Sequence, residues 1–189
     1  MKRVIVVSGN KTHGKNKLAE FIYELVPNSV VRAYADPLKE AVALILGIPV
    51  LWCYDQEKKE TLVIYGKTLR HWLQWFATEV VRDQVDEGVW VHRLAEYTLQ
   101  SDCTTVLVPD GRFPNEIQEL EETFSAIDGA EVEVVSVRIR RPSVPVDMTH
   151  RSESQVANMK DEDFDYVIVN DGTVGDLLVK ARALVKQIG

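Results

Sequence analysis

The chain is poor in cysteine and has no hydrophobic run long enough to cross a membrane. Its two cysteines, Cys53 and Cys103, lack metal-ligand spacing, which argues against a zinc site or a disulfide framework and favours buried free thiols in a reducing compartment. The N-terminus runs directly into a strand-like segment without the apolar core of a signal peptide. We therefore expect a cytoplasmic protein that does not span a membrane.

Basic residues are also scarce relative to acidic ones. The 22 Lys and Arg residues are outnumbered by 29 Asp and Glu residues, which gives a net charge of −7. Nonspecific nucleic-acid binding requires a basic face, so we expect no nucleic-acid binding, and small anionic ligands must be bound by local basic clusters. The 189 residues, 46% of them hydrophobic, are enough for a full core and predict one domain over residues 1–189.

The first strand-to-helix junction carries the most informative motif. A β-branched run, Val4–Val7, is followed by Gly9-x-x-x-x-Gly14-Lys15 and an amphipathic helix, the context expected of a phosphate-binding P-loop. Glycines let the backbone wrap around a polyphosphate, the lysine offers a cation to the β- and γ-phosphates, and the helix adds its positive end. The motif predicts that a nucleoside triphosphate binds to Gly9, Asn10, Lys11, Thr12, His13, Gly14 and Lys15.

One position departs from this motif. Asn16 stands where a serine or threonine normally offers its hydroxyl to Mg²⁺. An amide oxygen is a neutral hard ligand, so Asn16 could hold Mg²⁺ directly or through a water molecule that the ion retains. The alternative is that Asn16 only caps or lines the start of the helix.

Strand-like and helical segments alternate along the rest of the chain. The expected strands are Val4–Val7, Val30–Tyr34, Thr104–Val108, Val132–Ile139 and Tyr166–Val169. The expected helices span residues 15–26, 37–46, 67–85, 89–100, 114–127 and 173–187. This alternation predicts an α/β fold of three layers, in which a mostly parallel five-stranded sheet is covered by helices on both faces. Ligand-binding residues are then expected just after the strands.

Acidic residues follow two of these strands. Asp36 comes after the second strand, just before Pro37, which is favoured at the first helical position. Its carboxylate could orient an acceptor phosphate or a metal-bound water, or it could simply cap the helix. Asp110 lies at the tip of the third strand, where a P-loop enzyme keeps its magnesium carboxylate. Pro114 and Glu116 are expected to open the next helix.

The long helix expected over residues 67–85 carries a polar stripe beside its apolar face. Its members recur at every fourth position: Arg70, Gln74, Thr78 and Arg82. A solvated face is the usual explanation, but this stripe is poor in acids and its two arginines suit bidentate phosphate contacts. Three nearby tryptophans could stack on a base, although core packing is the commoner role: Trp72, Trp75 and Trp90.

The fourth strand ends in three basic residues, Arg138, Arg140 and Arg141. The polar segment that follows is expected to be irregular, apart from a capping-box pattern formed by Ser152 and Gln155. A basic strand end that leads into such a segment suits a lid over residues 140–163, which would close over a triphosphate and exclude water. A plain surface loop is the alternative.

Seven blocks of residues carry a family resemblance and span nearly the whole chain. They are Gly9–Lys15, Ala35-Asp36-Pro37-Leu38-Lys39, Thr68-Leu69-Arg70-x-x-Leu73-Gln74, Thr78-Glu79-x-x-Arg82 with Trp90, Asp110-x-Arg112-Phe113-Pro114-Asn115-Glu116, His150-x-Ser152-Glu153, and Asp165-Tyr166-Val167-Ile168-Val169-Asn170-Asp171-Gly172. With these blocks in this order, the chain resembles the deoxynucleoside monophosphate kinases of tailed phages. The P-loop is shared with many NTPases, whereas the blocks around Asp36 and Asp110 are far more specific.

The resemblance implies transfer of the γ-phosphoryl group of ATP to the 5′-phosphate of a deoxynucleoside monophosphate, with Mg²⁺ as cofactor. It assigns the P-loop and Asn170 to ATP, and Asn16 with Asp110 to Mg²⁺. The acceptor is expected to bind within the helical region 37–100. The residues implied there, or in contact with the acceptor phosphate, are Asp36, Lys39, Arg70, Gln74, Arg82 and Arg112. The implied lid cations are Arg138, Arg140 or Arg141.

The resemblance leaves a related kinase open as an alternative. Asn170-Asp171-Gly172 also resembles dephospho-coenzyme A kinases, which share the scaffold but phosphorylate another acceptor. A non-enzymatic P-loop switch would carry Asp-x-x-Gly and Asn-Lys-x-Asp signatures, and neither is present. Ala77 stands where the family usually has glycine, which is expected only to tighten helix packing. The family further implies a homodimer and, for a phage-encoded protein, the host cytoplasm.

Overall fold

The structure is a computed structural model that describes residues 1–113, 115–146, 148 and 151–189, without the side chains of Arg151 and Ser152. The chain forms two compact units. Unit 1 comprises Met1–Ala33 and Leu94–Gly189, and unit 2 comprises Tyr34–Arg93. The organisation as one kinase domain with an acceptor-binding region and a lid stays a prediction.

Seven strands and eight α-helices are formed by the described residues. The strands are β1 (Lys2–Ser8), β2 (Ser29–Val31), β3 (Val63–Ile64), β4 (Lys67–Thr68), β5 (Thr105–Gly111), β6 (Val132–Arg140) and β7 (Tyr166–Val169). The helices are α1 (Lys15–Leu25), α2 (Asp36–Leu46), α3 (Gln56–Thr61), α4 (Leu69–Trp75), α5 (Val89–Gln100), α6 (Asn115–Ser125), α7 (Arg151–Asn158) and α8 (Val174–Ile188). A π-helix, Phe76–Arg82, follows α4, and 3₁₀ turns lie at Val50–Cys53 and Asp161–Asp163.

Unit 1 is built on one parallel sheet with the strand order β2-β5-β1-β6-β7. The central strand β1 pairs with β5 on one side and with β6 on the other, so Val4 lies beside Val106 and Val134. All residues of β1 from Val4 to Ser8 are buried, which is the pattern of a strand covered on both faces. The predicted α/β fold with a parallel five-stranded sheet is confirmed.

The main core of unit 1 lies between this sheet and the helices α1 and α8. Leu18 and Ile22 of α1 are fully buried, four residues apart on one helical face, and Leu177 and Ala181 of α8 join them. Because the strands are parallel, their carboxyl ends meet at one edge of the sheet. Ser8 of β1 is in register with Gly111 and Arg138 there. The loops after β1, β5 and β6 therefore start side by side.

Unit 2 has an apolar core of its own. Buried members from α2, α4 and the first 3₁₀ turn are Leu38, Val42, Ala43, Cys53, Leu69 and Leu73. Trp72 and Trp90 pack against this core, and Trp72 Nε1 donates a hydrogen bond to the carbonyl oxygen of Ile64 at 2.9 Å. Core packing thus accounts for these two tryptophans, whereas Trp75 is more exposed. Both cysteines are free thiols, and only Cys53 is fully buried.

Two predicted elements of the first half are wrong in extent. The second strand ends at Val31 rather than Tyr34, because the chain turns at Tyr34 and Ala35 and α2 begins at Asp36. The helix expected over 67–85 begins at Leu69, where Thr68 Oγ1 accepts a hydrogen bond from the His71 N–H at 3.2 Å. At Phe76 it becomes a π-helix, whose hydrogen bonds join residues five apart. The short β3–β4 hairpin has no clear signal in the sequence.

The segment after β6 is not irregular as predicted, because it contains α7 and a 3₁₀ turn. The helix already includes Ser152, so the expected capping box with Gln155 is wrong. The reason is amphipathicity: Val156 and Met159 are buried although the segment is polar overall. Two predicted marks, Pro114 and His150, lie outside the described residues. No helix in the described parts of the chain is both long and apolar enough to cross a membrane.

Candidate active site

The P-loop connects β1 to α1, and two glycines determine its path. A Cβ atom on Gly9 would lie 2.4 Å from the carbonyl oxygen of Ile139, so no larger residue fits there. Gly14 has a φ of +105°, in the left-handed region that favours glycine, and its Cβ would lie 2.7 Å from Nδ2 of Asn170. The loop leads directly into α1, which begins at Lys15. The first N–H groups of a helix have no carbonyl of a preceding turn as a partner, so they can donate hydrogen bonds to an anion.

Asn170 supports this loop from the end of β7. The side-chain Nδ2 of Asn170 donates a hydrogen bond to the carbonyl oxygen of His13 at 3.0 Å. The backbone N–H of Asn170 donates a hydrogen bond to the carbonyl oxygen of Arg140 at 2.7 Å. Asn170 is buried, as are Asn10 and His13, whereas Lys11 and Thr12 are exposed at the tip of the loop. The structure thus gives Asn170 a bracing contact with the loop backbone.

Lys15 is only 7% exposed, and its Nζ donates hydrogen bonds to the carbonyl oxygens of Gly9 and Asn10, the latter at 2.9 Å. Burial, with a smaller effect of the nearby Arg112 guanidinium, lowers the pKa of Lys15 to about 8, although Glu153 and Asp110 act in the opposite direction. The ammonium group is therefore costly to keep charged without an anion. Phosphate oxygens are the ligands that would offset this cost.

Asp110 and Arg112 lie at the end of β5, on the edge of the sheet where the P-loop starts. The Asp110 charge acts on Lys15, which places this carboxylate in the electrostatic surroundings of the P-loop. Asn16 is exposed in the first turn of α1. Nucleotide-bound Mg²⁺ takes one or two protein ligands and keeps phosphate oxygens and waters, so these donors fit it. No three His, Cys, Asp or Glu side chains among the described residues could hold a metal by themselves.

Glu153 of α7 is a buried acid with several hydrogen bonds in this region. Its carboxylate accepts hydrogen bonds from the Lys11 N–H at 2.8 Å and from Asn10 Nδ2 at 3.2 Å, and it forms an ion pair with Arg112. Its backbone carbonyl accepts a further bond from Asn10 Nδ2 at 2.9 Å. One side chain of the predicted lid therefore contacts both the P-loop and the end of β5.

The three lid arginines differ in their surroundings. Arg138 is buried, donates hydrogen bonds to the carbonyl oxygens of Met159 and Val156, and pairs with Asp161. Burial lowers its pKa, with Asp161 opposing. Arg138 thus fastens the segment after α7 to β6. Arg140 also pairs with Asp161, at 2.7 Å, but it is exposed, and Arg141 is half-buried. Arg140 and Arg141 are the better placed of the three to contact a ligand.

In unit 2, Asp36 lies at the start of α2 and is buried. It is the first helical residue, and Ala35 rather than Asp36 is the cap. Its Oδ1 accepts hydrogen bonds from the Tyr54 hydroxyl at 2.8 Å and from Lys39 Nζ at 3.1 Å, and Lys39 Nζ also lies 4.0 Å from the centre of the Tyr54 ring. Asp36, Lys39 and Tyr54 therefore form one polar cluster.

The predicted stripe runs from α4 into the π-helix, and its members differ in burial. Arg70 donates hydrogen bonds to Glu60 and to Gln56 Oε1 of α3, the latter at 3.0 Å. Gln74 is exposed, whereas Arg82, at the end of the π-helix, is buried. A common role of Arg70, Gln74 and Arg82 in acceptor binding stays a prediction.

Lys59 of α3 belongs with the cations of unit 2. Burial, together with the positive charges of Lys39 and Arg70, lowers the pKa of Lys59 to about 8, while Cys53 and Asp55 act in the opposite direction. A lysine that loses charge so readily beside two other cations indicates a place where an anion would be stabilised.

Sequence reasoning missed three of these residues. Tyr54 and Lys59 lie in segments without a recognisable motif, so nothing in the sequence linked them to Asp36. Glu153 was quoted as a mark of the family but without a role. The only hint in the sequence was that Glu153 is an acid in a polar segment that follows a basic strand end. The partners of Glu153 lie more than 40 residues away along the chain, and local sequence patterns do not encode contacts of that separation.

Comparisons with known proteins add a curated relative and structural neighbours. No protein-family model matches the chain. A curated protein of Acanthamoeba polyphaga mimivirus, named "Putative deoxynucleotide monophosphate kinase", is 26% identical in a match of 185 residues. The match covers 90% of this chain and 90% of that protein.

Solved structures extend the comparison to the fold. A mutant of the APS kinase CysC from Mycobacterium tuberculosis has a TM-score of 0.53 and 13% identity over 98% of each chain. The same kinase in complex with AMPPNP and APS gives a TM-score of 0.53 and 11% identity over 98% of each chain. The chain thus has the fold of P-loop kinases, and the resemblance to deoxynucleoside monophosphate kinases that its motifs indicate is confirmed by a relative covering 90% of it.

Proposed function

We propose that this protein is an ATP-dependent kinase that phosphorylates deoxynucleoside 5′-monophosphates to diphosphates. The observation that carries the proposal is the P-loop, with Gly9 and Gly14 fixing its path and the buried Lys15 beginning α1. The curated relative, which matches 90% of the chain, supports the choice of acceptor by its name.

Unit 1 is proposed to bind ATP. Backbone N–H groups of the loop and of the first turn of α1 would bind the phosphates, and Lys15 would neutralise the β- and γ-phosphates. Asp110 and Asn16 would hold Mg²⁺, which when bound neutralises charge on the phosphate oxygens. Arg140 and Arg141 would supply lid cations.

Unit 2 is proposed to supply the acceptor-binding side chains. Lys39, Lys59 and Arg70 would neutralise the monophosphate. Asp36, held by Tyr54 and Lys39, would orient the acceptor, and Gln74 and Arg82 are proposed to contact the nucleotide. Little covalent work is needed in phosphoryl transfer, so these residues would act by positioning the two reactants and by stabilising charge.

An ADP-release assay with Mg·ATP tests this function directly. All ribo- and deoxynucleoside monophosphates and dephospho-coenzyme A are supplied one at a time as acceptors. We expect turnover with deoxynucleoside monophosphates at a rate well above the ATPase background. Turnover with dephospho-coenzyme A alone would establish the alternative acceptor, and background rates with every acceptor would contradict the proposal.

Arg70→Ala is expected to raise the KM for the monophosphate about tenfold to a hundredfold, because one charge-assisted phosphate contact is lost, and to leave the KM for ATP nearly unchanged. Arg70→Lys should recover only part of the effect, since lysine has no planar fork. The measurement is one saturation curve for each substrate. Lys67→Ala, which removes an exposed cation just before α4, is the matched control. An equal change in both KM values would mean that Arg70 does not act on the acceptor.

The KM for the monophosphate is also expected to depend on pH through Lys59. As the pH rises through about 8, unliganded Lys59 loses its proton and its attraction for phosphate. At saturating ATP the KM should therefore rise about tenfold between roughly pH 7 and pH 9, the change expected when one such group titrates. Lys59→Arg should remove this rise, because arginine stays charged over the whole range. A rise that persists in Lys59→Arg would assign the titration to another group.

A further inference from the structure

Glu153 makes more contacts with the P-loop than are needed to hold α7 in place. The bond from Asn10 Nδ2 to the Glu153 backbone carbonyl, at 2.9 Å, already joins the helix to the loop and would persist with any side chain at position 153. The carboxylate makes separate contacts: it accepts the Lys11 N–H at 2.8 Å and pairs with the Arg112 guanidinium. It therefore fixes one peptide N–H of the loop and one cation beside the loop.

The carboxylate is charged in this position although it is only 5% exposed. Burial by itself would raise the pKa of Glu153, but the bond from the Lys11 N–H, the charge of Arg112 and the bond from Asn10 outweigh it and hold the pKa below its ordinary value. A buried charge is tolerated only when it is paired and hydrogen-bonded. Glu153, Lys11 and Arg112 therefore form one unit with a defined geometry.

We propose that Glu153 is a positioning residue for the nucleotide phosphates, acting through the path of the P-loop backbone and the direction of the Arg112 guanidinium. The inference rests on the proposed function in taking ATP as the ligand of this loop. The bond from the Lys11 N–H fixes the orientation of that peptide, and with it the course of the loop on either side. The ion pair fixes the orientation of the planar Arg112 guanidinium beside the loop.

Two other roles would change binding differently. If the carboxylate only joined helix to loop, its neutral isostere would leave nucleotide affinity unchanged, because the backbone contact with Asn10 remains. If it acted mainly by repelling phosphate, removing its charge would tighten ATP binding. Positioning predicts the opposite sign: a weaker affinity for ATP once the N–H and the guanidinium lose their common acceptor.

The test is calorimetric binding of Mg·ATP and Mg·ADP to Glu153→Gln without any acceptor. The Kd for ATP is expected to rise about tenfold, the size of one charge-assisted contact. The Kd for ADP is expected to rise about threefold or less, because this inference has the Arg112 guanidinium act on the γ-phosphate, which ADP lacks. Amide hydrogen exchange of the peptide containing Lys11 should speed up in the same variant. Glu162→Gln, a mostly exposed glutamate of the same segment, is the matched control and should bind both nucleotides like the wild type.

Glu153→Asp keeps the charge but shortens its reach, and it should bind ATP with an affinity between those of the wild type and Glu153→Gln. If Glu153→Gln does not fold, the binding measurements are made on Glu153→Asp instead. Unchanged affinities for both nucleotides in folded variants, or tighter ATP binding, would overturn the inference. Failure of the proposed function would be seen separately, as a wild type that binds ATP but turns over no deoxynucleoside monophosphate.

Discussion

Lys15→Ala is expected to lower kcat by about a thousandfold or more while the fold is retained. The lysine charge acts where the charge of the γ-phosphate is redistributed, so its loss removes on the order of 4 kcal/mol of transition-state stabilisation. Among the described residues, the hydrogen bonds of its Nζ go to the backbone carbonyls of Gly9 and Asn10, within the loop itself, so we expect the alanine variant to fold. Initial rates at saturating Mg·ATP and monophosphate, with a thermal unfolding curve, are the measurements.

Lys17→Ala is the matched control for this variant. Lys17 lies in the same helix, is partly exposed, and pairs with Glu20 three residues on. Such a surface pair contributes little to stability, and no phosphate contact is proposed for it. The control should keep near-wild-type rates. Near-wild-type turnover in a folded Lys15→Ala protein would instead show that the loop is not the catalytic phosphate site.

Asp110→Asn is expected to lower kcat about a hundredfold and to raise the magnesium concentration needed for half-maximal rate, because an amide replaces the carboxylate proposed to hold the ion. Binding of ATP without metal should survive. Magnesium titrations of the initial rate, paired with metal-free ATP binding, make the comparison.

The control here is Asp128→Asn, in the exposed turn after α6. It removes one acid from unit 1 without touching the sheet edge and should leave the magnesium titration unchanged. If Asp110→Asn also leaves that titration unchanged, Asp110 is not the magnesium carboxylate. Asp36 then becomes the first acid to test by the same titration.

Features encoded within a few residues could be predicted from the sequence. The run Val4–Val7, the glycines of the P-loop and the apolar spacing of α1 each have a local cause, and all five strands of the sheet follow from alternation. The edge of the sheet that carries the site follows from parallel pairing, which sets Ser8 beside Gly111 and Arg138. For these, backbone conformation and one buried face determine the structure.

Features that depend on distant contacts could not be predicted. The π-helix at Phe76–Arg82 looks like an ordinary helical repeat in sequence, and only packing selects its wider hydrogen-bond pattern. The segment around Glu153 is so polar that its sequence did not indicate the amphipathic helix α7. The ion pair between Glu153 and Arg112 joins residues 41 positions apart. The link between Asp36 and Tyr54 likewise depends on how α2 meets the following turn.

The support that Asn170 gives to the P-loop has a consequence for biosynthesis. The loop precedes both strands that flank β1 in the chain, and its bracing contact joins His13 to a residue 157 positions later. Contacts of such sequence separation form late, because loop closure must precede them. On the ribosome, β1 must therefore wait unpaired until β5 and β6 have been made, and the proposed nucleotide site is complete only after β7 has followed.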